Sequence, residues 1–153
     1  MDEISSGQGP VSRIPVNMAI PTLLHGRVLC ITSVAVFAAF DVVRLEYEMT
    51  PPVEPLDWDA DHEAQAVWAR GNQWLLSGCD DLGTEYDDWG GSFGLTPDGQ
   101  KTDGERDLSP APPPDATWLE ITVHAAGYAV GVDHPRYMLK VGLPLAAESV
   151  QRV

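Results

Sequence analysis

One segment, Val42–Met49, constrains the fold of this chain more strongly than any other. It reads VVRLEYEM, so an apolar residue stands at every second position from Val43 onward, with a charged residue between each pair. Successive side chains of a β-strand point to opposite faces, and the pattern therefore predicts a strand with one buried and one solvated face. Half-solvated strands are typical of antiparallel sheets, which favours an all-β fold.

Other apolar segments predict the remaining strands. Arg27–Phe37 is β-branched and almost continuously apolar, which favours a strand buried on both faces over a helix. Arg13–Leu24 contains two prolines and is therefore predicted as an edge strand or an extended lead-in. Trp118–His124 alternates between apolar and polar residues, and Arg136–Leu143 is predicted as the last strand. The chain has 13 prolines and 14 glycines, which indicates many turns and few long helices.

Trp74–Gly91 is predicted to form the central hairpin of the sheet. Its apolar start leads into two aspartates, which favour a turn because their side chains bond to nearby backbone groups. Gly83 supplies the positive φ that such a turn requires. The predicted parts are a strand at Trp74–Cys79, a turn at Asp80–Gly83 and a returning strand at Thr84–Asp88.

Two stretches are predicted to lie outside the sheet. Gly90–Arg106 is rich in glycine and aspartate and is predicted as a loop, with a turn at Pro97–Gly99. Asp61–Arg70 is predicted as a short helix, because acidic residues stand in its first turn and a basic residue in its last. A hairpin that turns at Gly71–Asn72 is the alternative for this second stretch.

Together these elements predict an antiparallel β-sandwich of six to eight strands with one short helix in an insert. We expect one domain at residues 13–145, flanked by a flexible tail at 1–12 and a second tail at 146–153.

The order of motifs carries a family resemblance. The hairpin Asp80-Asp81-Leu82-Gly83-Thr84-x-Tyr86 is followed by the glycine pair Gly90–Gly91 and a proline-rich approach to Ala116–Val123. This order resembles that of immunoglobulin-like β-sandwich domains of uncharacterised actinobacterial and other Gram-positive proteins. The resemblance covers roughly Pro21–Leu143 and implies an immunoglobulin-like sandwich. Many such domains are tethered to a membrane outside the cell.

Charge excludes several kinds of partner. The formal net charge is −14, so a phosphate backbone or an anionic membrane surface would be repelled. The apolar run Val28–Phe40 is shorter than the roughly 20 residues of a membrane-spanning helix, and Asp2 and Glu3 stand where a signal peptide would be basic. We expect no nucleic-acid partner and no membrane insertion. The default location is cytoplasmic, or extracytoplasmic if the chain belongs to a larger or processed protein.

Cys30 and Cys79 are the two cysteines of the chain. Two are too few for a disulfide scaffold, and no histidines stand at the spacing of a structural zinc site. We predict unpaired, buried thiols. A disulfide between the two, which would require an oxidising compartment, is the alternative.

A calcium site is the first candidate for chemistry in this chain. Asp57, Asp59 and Asp61 are two residues apart, as at the start of a calcium-binding loop. The pattern then departs from an EF-hand, since His62 replaces the glycine and Trp68 replaces the final glutamate. We therefore interpret these carboxylates as turn-forming and solvated. A calcium-dependent, carbohydrate-binding-type sandwich is kept as the alternative function.

Tryptophans beside acidic residues suggest a binding surface. Of the five tryptophans, Trp58 and Trp89 stand among acids in loop-like segments. Exposed aromatic rings anchor protein partners, and surrounding carboxylates favour a basic one. We therefore predict a non-catalytic interaction domain without a cofactor, which binds through Trp58–His62 and Asp80–Gly91. The predicted binding residues are Trp58, Asp59, Asp61, Asp87, Asp88 and Trp89.

A serine hydrolase is the least supported function. Gly90–Gly94 matches G-x-S-x-G around Ser92. The nucleophile elbow of such enzymes needs a buried strand before the serine and a helix after it. Here acidic residues precede the serine and a predicted loop follows it, so the context of the motif is wrong.

Overall fold

The computed structural model describes residues 9–24, 26–125 and 133–152. These residues form nine β-strands and one α-helix. The helix, α1, spans His62–Asn72 in the connection between the third and fourth strands. The strands are β1 (Ser12–Leu24), β2 (Arg27–Phe37), β3 (Val42–Thr50), β4 (Trp74–Asp80), β5 (Glu85–Leu95), β6 (Thr102–Ser109), β7 (Trp118–Ala125), β8 (Arg136–Gly142) and β9 (Val150–Arg152).

All nine strands belong to one antiparallel sheet in the order β1-β2-β3-β6-β5-β4-β7-β8-β9. The sheet curls, because β1 at one edge also contacts β7 and β8 near the other. The all-β prediction and the single short helix in an insert are confirmed. The strand number differs from the expected six to eight, and one curled sheet stands where two sheets of an immunoglobulin-like sandwich were expected. A curled sheet buries its inner face against itself, so alternating strands suit either arrangement.

The core lies inside the curl. The alternation of β3 is confirmed, since its four apolar side chains from Val43 to Met49 are all buried. The Tyr47 ring packs edge-on against Trp74 of β4, with ring centroids 4.7 Å apart. Strand β7 alternates in the same way, with Leu119, Ile121 and Val123 fully buried.

Helix α1 begins as the acidic residues predict. The Asp61 carboxylate accepts a hydrogen bond from the Ala64 N–H at 2.8 Å and thereby caps the helix. The helix continues two residues beyond the predicted end at Arg70, and the alternative hairpin is not formed.

A buried arginine holds both ends of the insert, the connection of residues 51–73 that contains α1. Arg27, at the start of β2, is 7% exposed. Its guanidinium donates to the carbonyl oxygens of Pro51 and Pro52, where the insert leaves the sheet, at 3.2 and 2.9 Å. It also donates to the Gly71 carbonyl at 2.8 Å, where the insert returns.

The prediction of a loop at Gly90–Arg106 is wrong. Strand β5 continues to Leu95, and β6 begins after a turn at 96–101. Because glycine and aspartate are poor strand formers, their number in this segment favoured a loop over the β5–β6 hairpin. Some of the glycines are required by the sheet, because a Cβ at Gly91 would overlap the Glu105 carbonyl oxygen.

The two predicted tails differ in how much of each belongs to the sheet. Residues 1–8 of the expected N-terminal tail lie outside the described residues, and β1 begins at Ser12. The expected tail at 146–153 contains a 3-10 turn at Ala147–Ser149 and strand β9, which pairs with β8.

The cysteines lie on different parts of the sheet. Cys30 is on β2 and Cys79 on β4, and three strands separate β2 from β4. Their sulfurs are not bonded to each other, so the alternative disulfide is not formed. Cys30 is half-buried and Cys79 exposed, which corrects the expectation that both are buried.

Across the described ranges, no helix is both long enough and apolar enough to cross a membrane.

Candidate functional site

The β4–β5 turn is held together by one buried carboxylate. Asp80 is 4% exposed and accepts hydrogen bonds from the N–H groups of Leu82 and Thr84, both at 2.9 Å. The hydroxyl of buried Tyr86 donates to the same carboxylate at 2.7 Å. Burial acts to raise the pKa of Asp80, but the hydrogen bonds from Tyr86 and Thr84 prevail and lower it. The turn predicted at Asp80–Gly83 is therefore confirmed, with Gly83 at a φ of 85°.

Asp81 ties this turn to the start of β7. Its carboxylate accepts hydrogen bonds from the Thr117 hydroxyl at 2.7 Å and the Thr117 N–H at 2.8 Å. The Trp118 N–H also donates to it, at 3.3 Å. These bonds, led by that of the Thr117 hydroxyl, lower the pKa of Asp81. We call Asp80 and Asp81 the acidic turn, and its carboxylates have a structural use.

Two of the three aspartates proposed for calcium, Asp57 and Asp61, serve a local turn and a helix cap. Asp57 accepts a hydrogen bond from the Asp59 N–H at 3.0 Å, and Asp61 caps α1. Within 9–24, 26–125 and 133–152, no group of three or more His, Cys, Asp or Glu side chains is arranged to hold a metal ion. Their spacing is thus explained by turn and cap chemistry.

The predicted binding residues divide between two places. Trp58, with Asp59 and Asp61, lies in the insert, close to where β3 ends and β4 begins. The acidic turn follows β4 at its other end, about 20 Å away at 3.3 Å per residue. Trp58 is 79% exposed and Trp89, in β5, is 71% exposed. The Asp80–Gly83 end of the expected joint surface therefore lies far from the insert, whereas β5 runs back along β4 toward the insert from Asp87, which pairs with Ser77.

Asp88 has a structural role in the sheet. One carboxylate oxygen accepts hydrogen bonds from the Leu76 N–H and from Nε of Arg106, both at 2.8 Å. The other oxygen accepts a bond from the Gly90 N–H at 2.7 Å. Its side chain is 13% exposed. Asp88 therefore holds three elements together, whereas its neighbours Asp87 and Trp89 are exposed.

The sheet splits beside Asp88. The ladder between β4 and β5 ends at Ser77 and Asp87, and the Asp88 side chain then bonds to Leu76 in place of a backbone carbonyl. A bulge follows at Trp89 and Gly90, where the φ of Gly90 is 77°. Among the described residues, β5 pairs from there onward with β6 and with no other strand.

The separated part of β5 exposes large apolar side chains. Trp89 is 71%, Phe93 62% and Leu95 64% exposed. Large exposed apolar side chains close together on one strand are common at surfaces through which proteins contact other molecules.

An aromatic cleft lies between β4 and the β5–β6 hairpin, where β5 separates from β4. Its volume is about 280 Å³. Arg106 projects into it, with its guanidinium carbon 5.4 Å from the centre of the Trp74 ring. Burial raises the pKa of Tyr47 to about 12, although the nearby Arg106 acts to lower it. The side chains that define the aromatic cleft are Tyr47, Trp68, Trp74, Phe93 and Arg106.

On the outer face of the same hairpin lies an acidic groove of about 560 Å³. Two pairs of carboxylates face each other directly across β3 and β6, Glu46 with Glu105 and Glu48 with Asp103. Directly opposed like charges destabilise a sheet. The floor is formed by small residues, Ser92, Gly94 and Gly104. We use the name acidic groove for these four carboxylates and this floor.

Cations balance the groove in part. Arg13 lies 3.0 Å from Glu46, and Lys101 lies 3.4 Å from Glu48. Arg44 is 3.5 Å from Glu105, but it makes its shorter bonds with Asp107 at 2.8 and 3.1 Å. Because Arg44 is shared with Asp107, the four groove carboxylates have, within the part of the chain that the structure describes, only Arg13 and Lys101 as cations of their own, and the groove keeps an excess of negative charge.

Sequence reasoning missed the groove because it placed β6 in a loop. Asp103, Glu105 and Asp107 stand at every second position, the same period that identified β3. Recognition of this alternation beside that of Glu46 and Glu48 would have predicted two acidic strand faces.

Ser92 forms part of the floor of the acidic groove and does not lie at a turn between a strand and a helix. Strand β5 continues past it to Leu95, and the next element is another strand. The nucleophile elbow of a serine hydrolase is therefore not formed around Ser92.

Comparisons with known proteins add little. No protein-family model matches the chain, and no curated protein matches it. A solved structure, a conserved domain protein from Bacillus anthracis, is similar at 17% sequence identity with a TM-score of 0.40. The match covers 93% of this chain and 46% of that one, so this chain spans about half its length. At this TM-score the similarity bears on neither fold nor function.

Proposed function

We propose that the protein is a non-catalytic binding domain whose acidic groove takes a basic segment of a partner protein. The observation that carries the proposal is the direct opposition of Glu46 to Glu105 and of Glu48 to Asp103. This arrangement costs stability in the free protein, and a bound cationic side chain would relieve it. Selection for binding would explain why these opposed carboxylates are retained despite their cost in stability.

The rest of the molecule supports a basic partner. The net charge of −14 would raise the association rate of a positively charged segment and disfavour an acidic one. Beside the groove, exposed Phe93 and Trp89 supply apolar contact area of the kind that anchors protein partners. Of the residues predicted from sequence, Asp87 and Trp89 belong to this hairpin. Trp58 and Asp59 belong to the insert, and an immunoglobulin-like origin stays a prediction.

The test is a binding measurement on charge-matched variants. Glu48→Gln with Asp103→Asn removes two carboxylates from the groove. Glu85→Gln with Asp115→Asn removes two exposed carboxylates outside it, so both variants have the same net charge. The probe is a fluorescent heptapeptide that alternates Lys and Val, and its counterpart alternates Glu and Val.

We expect the groove variant to weaken binding of the lysine peptide about tenfold, and the control variant to weaken it about twofold. Binding should fall with salt, because part of it is electrostatic. Equal weakening by the two variants, or equal binding of the glutamate peptide, would show that the groove is not the binding surface.

A further inference from the structure

We propose that the partner segment binds as an added β-strand along the separated part of β5. The proposal rests on the proposed function above and names the way in which the basic segment is held. It starts from the backbone of Gly91–Leu95, which we call the β5 edge. The edge is five residues long, about 17 Å of strand, and it borders both the acidic groove and the aromatic cleft.

Hydrogen-bond alternation shows which backbone groups the β5 edge presents. Across the turn, the Thr96 N–H donates to the Lys101 carbonyl oxygen at 2.9 Å. Residues that bond to one neighbouring strand alternate with residues that face away from it. Gly94 and Ser92 therefore direct their backbone groups toward β6, whereas Leu95, Phe93 and Gly91 direct theirs away.

In the described part of the chain, the ladder that would cover this side ends at Ser77 and Asp87. The Asp88 carboxylate closes that ladder by its bond to Leu76, and the bulge after it turns β5 away from β4. The N–H and C=O groups at Gly91, Phe93 and Leu95 therefore form a row suited to pairing with an extended chain.

The two faces of the β5 edge specify alternating side chains on the added strand. On the outer face, Ser92 and Gly94 are small and leave room above the sheet. The added strand would lie about 10 Å from β6, two strand spacings, which a long lysine or arginine side chain can bridge toward Asp103 and Glu105. On the inner face, apolar side chains would meet Phe93 and the aromatic cleft.

Charge complementarity selects the occupant. A second copy of this chain would bring another net charge of −14 and another acidic groove to the same edge. A strand of another protein that alternates basic and apolar residues satisfies both faces at once. The alternating Lys-Val heptapeptide has this pattern and serves as the probe.

The deciding experiment uses two methylated forms of the probe, one carrying N-methyl groups on every lysine and the other on every valine. In an added strand, residues of one type direct their N–H groups toward β5 and residues of the other type direct theirs to solvent. We expect one methylated peptide to bind about tenfold more weakly or worse, while the other keeps the affinity of the parent peptide.

Equal affinity of all three peptides would overturn strand addition while leaving charge recognition by the acidic groove intact. Loss of binding by both methylated peptides would also overturn it. Failure of the parent peptide to bind would overturn the proposed function together with this inference.

Matched protein variants test the same edge from the other side. Phe93→Pro removes an N–H that faces away from β6, and Phe93→Ala removes the ring but keeps that N–H. We expect the proline variant to bind the parent peptide about tenfold more weakly than the alanine variant. Equal binding by the two would contradict the inference. Sedimentation analysis of the unmodified protein should show a monomer, and a dimer that Phe93→Pro dissociates would assign the β5 edge to self-association instead.

Amide hydrogen exchange gives a readout that does not depend on folding of a variant. Phe93 and Leu95 should exchange quickly in the free protein and become protected when the parent peptide is bound. Protection that does not change on binding would contradict strand addition.

Discussion

The acidic turn and the acidic groove contain the same kind of side chain in opposite arrangements. In the acidic turn, Asp80 and Asp81 accept hydrogen bonds from hydroxyl and N–H donors, so their negative charge is matched locally. In the acidic groove, carboxylates face carboxylates across neighbouring strands. Aspartates near each other in sequence thus have hydrogen-bond donors built around them in the turn. Strand pairing instead places the groove carboxylates opposite one another, with partial compensation by Arg13, Lys101 and Ser33.

The largest effect is expected at the acidic turn. Asp80→Ala leaves the buried Tyr86 hydroxyl and the Leu82 and Thr84 N–H groups without their acceptor, which costs about 3 kcal/mol of unfolding free energy. Urea unfolding followed by tryptophan fluorescence measures it. Asp115→Ala, at an exposed position, is the control. A loss as small as that of the control would mean that the turn is held by other contacts.

Part of the loss of stability in acid should come from the same turn. Burial acts to raise the pKa of Asp80, but its hydrogen bonds prevail and lower it. The hydrogen bonds of Asp81 lower its pKa as well, so the pKa of each carboxyl lies below its ordinary 3.8. The unfolded state then binds more protons, and stability is full above that ordinary value and is lost as pH falls through the folded values. Urea midpoints measured between neutral pH and about pH 2.5 should fall less steeply for Asp81→Asn. An unchanged slope would contradict this origin.

Stability should also fall at alkaline pH, because of Tyr47 beneath the acidic groove. Burial raises the pKa of Tyr47 to about 12 from its ordinary 10.0, and the charges of Asp103 and Glu105 act in the same direction. A raised pKa means that the stabilisation is complete below the unfolded value and is lost as pH rises through about 12. Tyr47→Phe should remove this part of the loss. Parallel decline of both proteins in urea midpoints above pH 10 would exclude Tyr47 as its source.

The smallest effect has the opposite sign. Asp103→Asn removes one of two directly opposed charges and should increase the unfolding free energy by about 0.5 kcal/mol at low salt. The gain should disappear in about 1 M NaCl, where charges are screened beyond about 3 Å. Asp115→Asn makes the same change of net charge elsewhere. Destabilisation by Asp103→Asn would remove the contrast between groove and turn.

The fold was predictable wherever a residue pattern is local. Period-two alternation identified β3 and β7, and the acidic start of α1 placed the helix to within two residues. The Asp80–Gly83 turn was also predictable, since an aspartate can bond to its own nearby backbone.

The candidate site was not predictable, because it depends on pairing between distant segments. Glu46 meets Glu105 through a ladder that joins residues 59 positions apart, and the glycines of β5 together with Gly104 of β6 favoured a loop. The separation of β5 from β4 also depends on the Asp88 carboxylate replacing a ladder bond, which composition does not reveal. The choice of one curled sheet over two packed sheets is likewise set by long-range pairing.

Arg27 has a consequence for how this protein can be altered. Its guanidinium joins the two ends of the insert at Pro51, Pro52 and Gly71, so the residues between form a loop already closed at its base. Closing a longer loop costs little extra entropy, about 0.6 kcal/mol for each doubling of length. The exposed turn at Asp57–Asp59 within the insert is therefore a natural place to graft a foreign peptide or reporter domain while Trp68 stays in the aromatic cleft.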